Sequence, residues 1–178
     1  MKKSILIPII GIALTAALLF GITAVTANIR AERTQAEHIA KMRTLLPGST
    51  DFVRETYTGE DTNIVSVHRA DNGYVIETKV YGYADDIIMM VGVNNDGDVT
   101  GLTVRQMAET YGLGANALID YEFLAQFLNT SGDTEVGENV DAITGATVTS
   151  KAIARSINSA VGFVTGADVT TEATSWGG

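Results

Sequence analysis

Thr144, Gly145, Ala146, Thr147, Val148, Thr149 and Ser150 form an unbroken run that begins three residues after Asp141 and leads into an amphipathic segment. A hydroxyl where a helix begins stands beside first-turn N–H groups that have no intrahelical partner and attract a phosphate. A glycine just upstream lets the backbone approach a ligand closely. A hydroxyl and a phosphate at one point can also be joined as an ester. The same residues fit an ordinary helix entry with Thr147 as N-cap, and the run alone leaves both readings open.

A second stretch has similar character. Glu109, Thr110, Tyr111, Gly112, Leu113 and Gly114 follow a strand-like segment. The two glycines permit unusual backbone angles and close approach of a flat ligand. Glu109 and Thr110 can hydrogen-bond, and Leu113 offers an apolar face. A plain glycine-rich turn from strand to helix accounts for the same residues.

Composition removes several alternatives. The chain has 178 residues and no cysteine, so disulfides, thiol catalysis and Cys-ligated metal centres are excluded. His38 and His68 stand far apart without metal-ligand spacing. From Thr44 onward there are 19 acids against 6 bases, a net charge of −13. Such a domain is repelled by nucleic acid, which is therefore not an expected partner.

The elements that must position these stretches follow from periodicity. Ser4 to Ala27 carries no charge and exceeds the ~20 residues needed to cross a bilayer. It reads as a single transmembrane helix, with Pro8 in its tolerant first turns. A cleaved signal peptide ending near Val25-Thr26-Ala27 is the rival reading. Lys2 and Lys3 on one side against Arg30, Arg33, Lys41 and Arg43 on the other leave orientation open. Asn28 to Leu46 continues as a juxtamembrane helix that Pro47-Gly48 ends. Asp71-Asn72-Gly73 predicts a hairpin between strands at Ile64–Arg69 and Tyr74–Val80. Asn94-Asn95-Asp96-Gly97 predicts another between Ile87–Val93 and Val99–Val104. Tyr121 to Leu128 reads as a short helix and Asp133 to Val140 as a polar connection. Thr147 to Val164 is the last helix, with Ile153, Ile157, Ala160, Val161 and Val164 on one face. The fold class is α+β: an antiparallel sheet with flanking helices behind one membrane helix.

The order of these pieces adds a resemblance. Gly82-Tyr83 to Ile88, Val91-Gly92-Val93, Asn95-Asp96-Gly97, Glu109-Thr110 with Gly112-Leu113-Gly114, and Asp141 with Thr144-Gly145-Ala146-Thr147 and Thr149-Ser150 occur in sequence. Together they resemble the FMN-binding domain family of membrane electron-transport complexes. That family includes the G subunit of the Rnf complex and, as a longer relative, the C subunit of the sodium-translocating NADH:quinone reductase. The resemblance covers about Val80 to Val164, plus the anchor.

It implies FMN held covalently by a phosphoester to Thr147, and Asp141 as part of the signal read by a flavin transferase. It implies the other membrane subunits of the complex as partners and a domain on the outer face of the cytoplasmic membrane. Tyr111 departs from the pattern, where the family usually has Pro. If the phosphate sits on Thr147, the N–H groups of Val148, Thr149 and Ser150 are expected to face it. Gly145 spares it a crowding Cβ, and Lys151 or Arg155 could add charge. The organisation is then 1–27 membrane anchor, 28–47 juxtamembrane helix, 48–165 FMN-binding domain and 166–178 tail. The expected function is electron transfer within an ion-translocating oxidoreductase rather than independent catalysis. An anchored small-ligand or sensory module and a stand-alone flavin reductase are the rivals.

Overall fold

The computed structural model describes residues 30, 32–107 and 120–167. The chain divides into two compact units, Met1–Lys41 and Met42–Gly178. In the first, residues 32–41 are helical and largely exposed. This helix, α1, ends at residue 45. The expected span Ser4–Ala27, the Glu109–Gly114 stretch and the tail from residue 168 lie outside the described residues. Among the described residues no helix is long and apolar enough to cross a membrane.

The second unit is built on a five-stranded antiparallel sheet in the order β1-β2-β3-β4-β5. The strands are Val53–Glu55 (β1), Ile64–Arg69 (β2), Gly73–Tyr81 (β3), Asp86–Asn94 (β4) and Val99–Met107 (β5). Both hairpins fall where the Asn-Gly and Asp-Gly signals place them. The second half of β3 alternates buried and exposed side chains, whereas β4 is buried along most of its length because both faces of the sheet are covered. Strand β1 is unexpected. It has three residues, of which Val53 is exposed, so it carries no alternating pattern to read. A bulge between Ile64 and Ser66 turns Val65 outward. The turn after β4 is held by Asn94 Oδ1, which accepts from the N–H groups of Asp96 (3.0 Å) and Asp98 (2.8 Å). Hydrogen bonds from Ser131 and then Asn94 hold the Asp98 carboxyl below the usual carboxylate range.

One face of the sheet carries the main core. Ile76, Ile87, Met89, Val91 and Val93 pack there with Phe123, Phe127 and the apolar side of helix α3, Thr147–Thr165. The short helix α2 is Tyr121–Ala125, shorter than its pattern suggests. Asp120 caps it by accepting from Phe123 N–H at 2.9 Å. The residues after it turn so that Asn129 and Thr130 can bond both backbone groups of Val99. That pairing closes the start of β5 and leaves no room for another helical turn.

The opposite face is closed by the end of α1. Val75 and Met90 point that way by strand alternation, and Met42, Leu45 and Leu46 are buried. Gly92 and Gly101 face each other across β4 and β5. A Cβ on them would stand 2.2 and 2.7 Å from the Leu45 carbonyl oxygen. The missing side chains admit that carbonyl, and Thr100 Oγ1 donates to it at 2.6 Å. Gly101→Val should therefore force Leu45 away and cost roughly 1–3 kcal/mol. Urea unfolding checks this: the midpoint should fall with the slope unchanged. An unmoved midpoint would show that Leu45 is not seated there.

Candidate functional site

Three observations fix the direction of α3 on the sheet. Its Phe163 ring meets Tyr74 edge-on at 5.5 Å, near the start of β3. Its Ser156 hydroxyl bonds Thr78 Oγ1 in the middle of that strand. Its Ser159 Oγ accepts from Asn63 Nδ2 at 3.1 Å, and Lys79 N–H donates to the Asn63 carbonyl. The helix thus runs antiparallel to β3. Thr147, nine residues before Ser156, lies about 13 Å back along the axis, toward Tyr81. Met107, the last residue of β5, pairs with Ile87, which pairs with Val80. β5 therefore ends on the side of the sheet where α3 begins. Glu109, Thr110, Tyr111, Gly112, Leu113 and Gly114 lie outside the described residues.

Thr147 is the first residue of α3 and is exposed. The N-cap is Ala146, with no side-chain cap, so Thr147 does not cap the helix as its sequence suggests. Inside the first turn its hydroxyl is free of capping duty. Among the described residues it has no hydrogen-bond partner.

The donors at the helix start are also shifted from expectation. Ser150 N–H bonds Ala146 O at 2.9 Å and makes the first intrahelical bond, so it cannot face a phosphate. The N–H groups of Thr147 and Val148 lie upstream of that bond. Thr149 is buried at 1 % exposure and does not line the surface.

The loop before the helix is held from both sides. Ser150 Oγ is fully buried; it accepts from Ile143 N–H at 3.1 Å and donates to Ala146 O at 3.0 Å. Asp141 N–H donates to Gln126 Oε1 at 2.8 Å, and the Asp141 residue stays exposed. No pattern in the sequence singles out Gln126, because that contact joins residues fifteen apart. Thr144 and Gly145 are exposed, and Gly145 has φ 79°. Its glycine is thus required by a left-handed backbone, whatever space a ligand needs. Lys151 is exposed one turn along, and Arg155 is partly buried with its Nε shielded and unpartnered.

These residues fit a phosphorylated cofactor. An accessible hydroxyl, open N–H groups at the positive end of a 19-residue helix and a guanidinium whose Nε has no partner among the described residues lie along one side of α3. Among the described residues no group of His, Asp and Glu could hold a metal ion.

Comparison with known proteins gives the family. Residues 82–162 match the model of the FMN-binding domain, from the β3–β4 turn through most of α3. The G subunit of an ion-translocating oxidoreductase complex from Methanosarcina acetivorans is 33% identical over 90% of this chain and 93% of its own length. The G subunit of a Na(+)-translocating ferredoxin:NAD(+) oxidoreductase complex from Acetobacterium woodii is 35% identical over 50% of this chain and 47% of its own. The G subunit of a proton-translocating ferredoxin:NAD(+) oxidoreductase complex from Clostridium ljungdahlii is 38% identical over 52% of this chain and 53% of its own. The chain thus matches nearly all of the first relative and about half of the other two.

The left-handed turn before α3 is directly testable. Gly145→Ala should cost about 1–2 kcal/mol, since a Cβ opposes that conformation. Thermal unfolding of the unloaded protein reads this, and an unchanged midpoint would mean that the turn adopts another backbone in solution.

Proposed function

The chain belongs to the G-subunit family of Rnf-type ion-translocating oxidoreductase complexes, and we infer that it carries FMN joined through its phosphate to Thr147 Oγ1. One observation carries the inference: an exposed hydroxyl, without a partner among the described residues, stands at the first position of α3, beside N–H groups that the helix does not use. A phosphodiester there keeps one negative charge at the positive end of the helix, where it is stabilised by about 0.3–1 kcal/mol. The redox chemistry belongs to the flavin; the chain positions it and sets its surroundings. Its role is then to pass electrons between its neighbours in the complex, without a substrate of its own.

Asp141 serves as the recognition point for the flavin transferase. Its backbone is tied to Gln126 and its side chain is left to a partner. β5 ends at Met107, at the end of the sheet where α3 starts.

The domain faces the outer side of the cytoplasmic membrane, behind the span Ser4–Ala27. Folded domains cross despite basic flanks as modest as Arg30 and Arg33. The relatives named above belong to ion-translocating complexes, and their names include both a sodium and a proton translocator.

Thr147→Ala, made together with the transferase, should fold normally and lose covalent flavin. Wild type should give a fluorescent band after denaturation and the mutant a dark one. Flavin retained in the mutant sinks the assignment, and a dark wild-type band favours reversible binding. Asp141→Ala should lower loading more than it lowers thermal stability. Placement has its own check: protease added to wall-stripped intact cells should digest the domain. Protection until lysis would put the domain in the cytoplasm.

A further inference from the structure

Arg155 does nothing for the described fold. Arg69, Lys79 and Arg105 each reach a carboxylate, at 3.5, 2.6 and 2.5 Å. Arg54 and Lys151 are exposed to water. Arg155 is partly buried, and among the described residues its guanidinium has neither a hydrogen bond nor an acid; its Nε is shielded from solvent. Shielding the Nε of a guanidinium from water without a partner is costly. A cation left in that state points to an anion that the described residues do not supply.

The position narrows the identity of that anion. Thr147, Lys151 and Arg155 recur at every fourth residue, which aligns them along one stripe of α3. Ala152, Ile153 and Ala154, between Lys151 and Arg155, are buried, whereas Thr147 and Lys151 are exposed and Arg155 partly so, which puts the stripe on the outward side of the helix. Arg155 lies eight residues beyond Thr147, about 12 Å along the axis. Lys151, one turn from the attachment point, is the nearer cation for the phosphate. A ribityl chain followed by three fused rings extends from its phosphate over a length comparable to the reach from Thr147 to Arg155.

We propose that Arg155 is the cationic partner of the flavin's pyrimidine edge, at N1 and the C2 carbonyl. The proposal rests on attachment at Thr147. The oxidised ring is neutral. Two electrons and one proton leave it with one negative charge, concentrated at that edge. A guanidinium there binds the reduced ring more tightly than the oxidised one and so raises the reduction potential. Arginine stays charged across the working pH range, so the effect does not depend on a protonation step. A cation on the phosphodiester behaves differently. The phosphodiester has the same charge in both redox states, so such a contact leaves the potential nearly unmoved.

The experiment uses the full chain made with the transferase, as wild type, Arg155→Gln and Arg155→Lys. Mass spectrometry reads the loading of the peptide that contains Thr147. A reductive titration with dithionite and mediator dyes reads the potential. Loading should be equal in all three. Arg155→Gln should weaken the reduced form at least tenfold relative to the oxidised one, about 30 mV for a two-electron couple. Arg155→Lys keeps the charge and should recover most of the difference. A fully loaded Arg155→Gln chain with the wild-type potential overturns the role of Arg155. A wild-type chain without flavin on Thr147 overturns the attachment beneath it, and mass alone tells the two failures apart.

Discussion

Ser156 and Thr78 are both fully buried, and each hydroxyl is answered by the other across the interface between α3 and β3. Neither has water as an alternative. A helix that slid by one turn would leave both unsatisfied, at roughly 1–3 kcal/mol each. Small residues beside them, Ala152, Ser159 and Ala160, let the helix lie close enough for that bond. Asn158 adds a second tie through the N–H and hydroxyl of Thr134. The axial position of α3 is thus fixed by polar contacts inside an apolar interface. Everything at the site inherits it: which end of the helix meets the departing end of β5, and how far Thr147 stands beyond the middle of the sheet.

The sheet was legible because its strands are rich in β-branched residues and its turns are chemically marked. Asp71-Asn72-Gly73 and Asn94–Gly97 locate both hairpins. Helix α3 was equally plain, because its apolar residues repeat at helical spacing. What escaped has a physical reason in each case. Strand β1 is too short to show a period. Helix α2 stops early because Asn129 and Thr130 are bound to Val99, a contact between distant segments. The cap of α3 falls on Ala146, one residue before the threonine that propensity favours. Gly145 stands out in the sequence for the space it frees, whereas its backbone angle is the firmer requirement. Gln126 and the buried role of Ser150 depend on tertiary contacts that no local pattern encodes. Arg155 was visible as a base near the site, but only its lack of an acid among the described residues makes it unusual.

The two faces of the sheet are closed by different means. On the α3 side, branched and aromatic side chains fill the space between helix and strands. On the other side, paired glycines remove side chains so that the backbone of Leu45 can touch the strands. The first arrangement tolerates changes of shape among side chains. The second tolerates none, because a carbonyl cannot repack.

The Thr147 hydroxyl takes part in none of this bonding. Joining FMN to it, as proposed, would break no hydrogen bond among the described residues. On that proposal folding and loading are separate steps with separate controls. An unloaded chain is not a damaged one: it has the same core and the same caps, and proteases that act on unfolded chains have no means to distinguish it. It can also occupy a place in an assembly as readily as a loaded copy. On the proposed attachment, the working fraction of such an assembly would be set by the supply of flavin and of the enzyme that attaches it, and a surplus of folded protein would dilute activity instead of raising it.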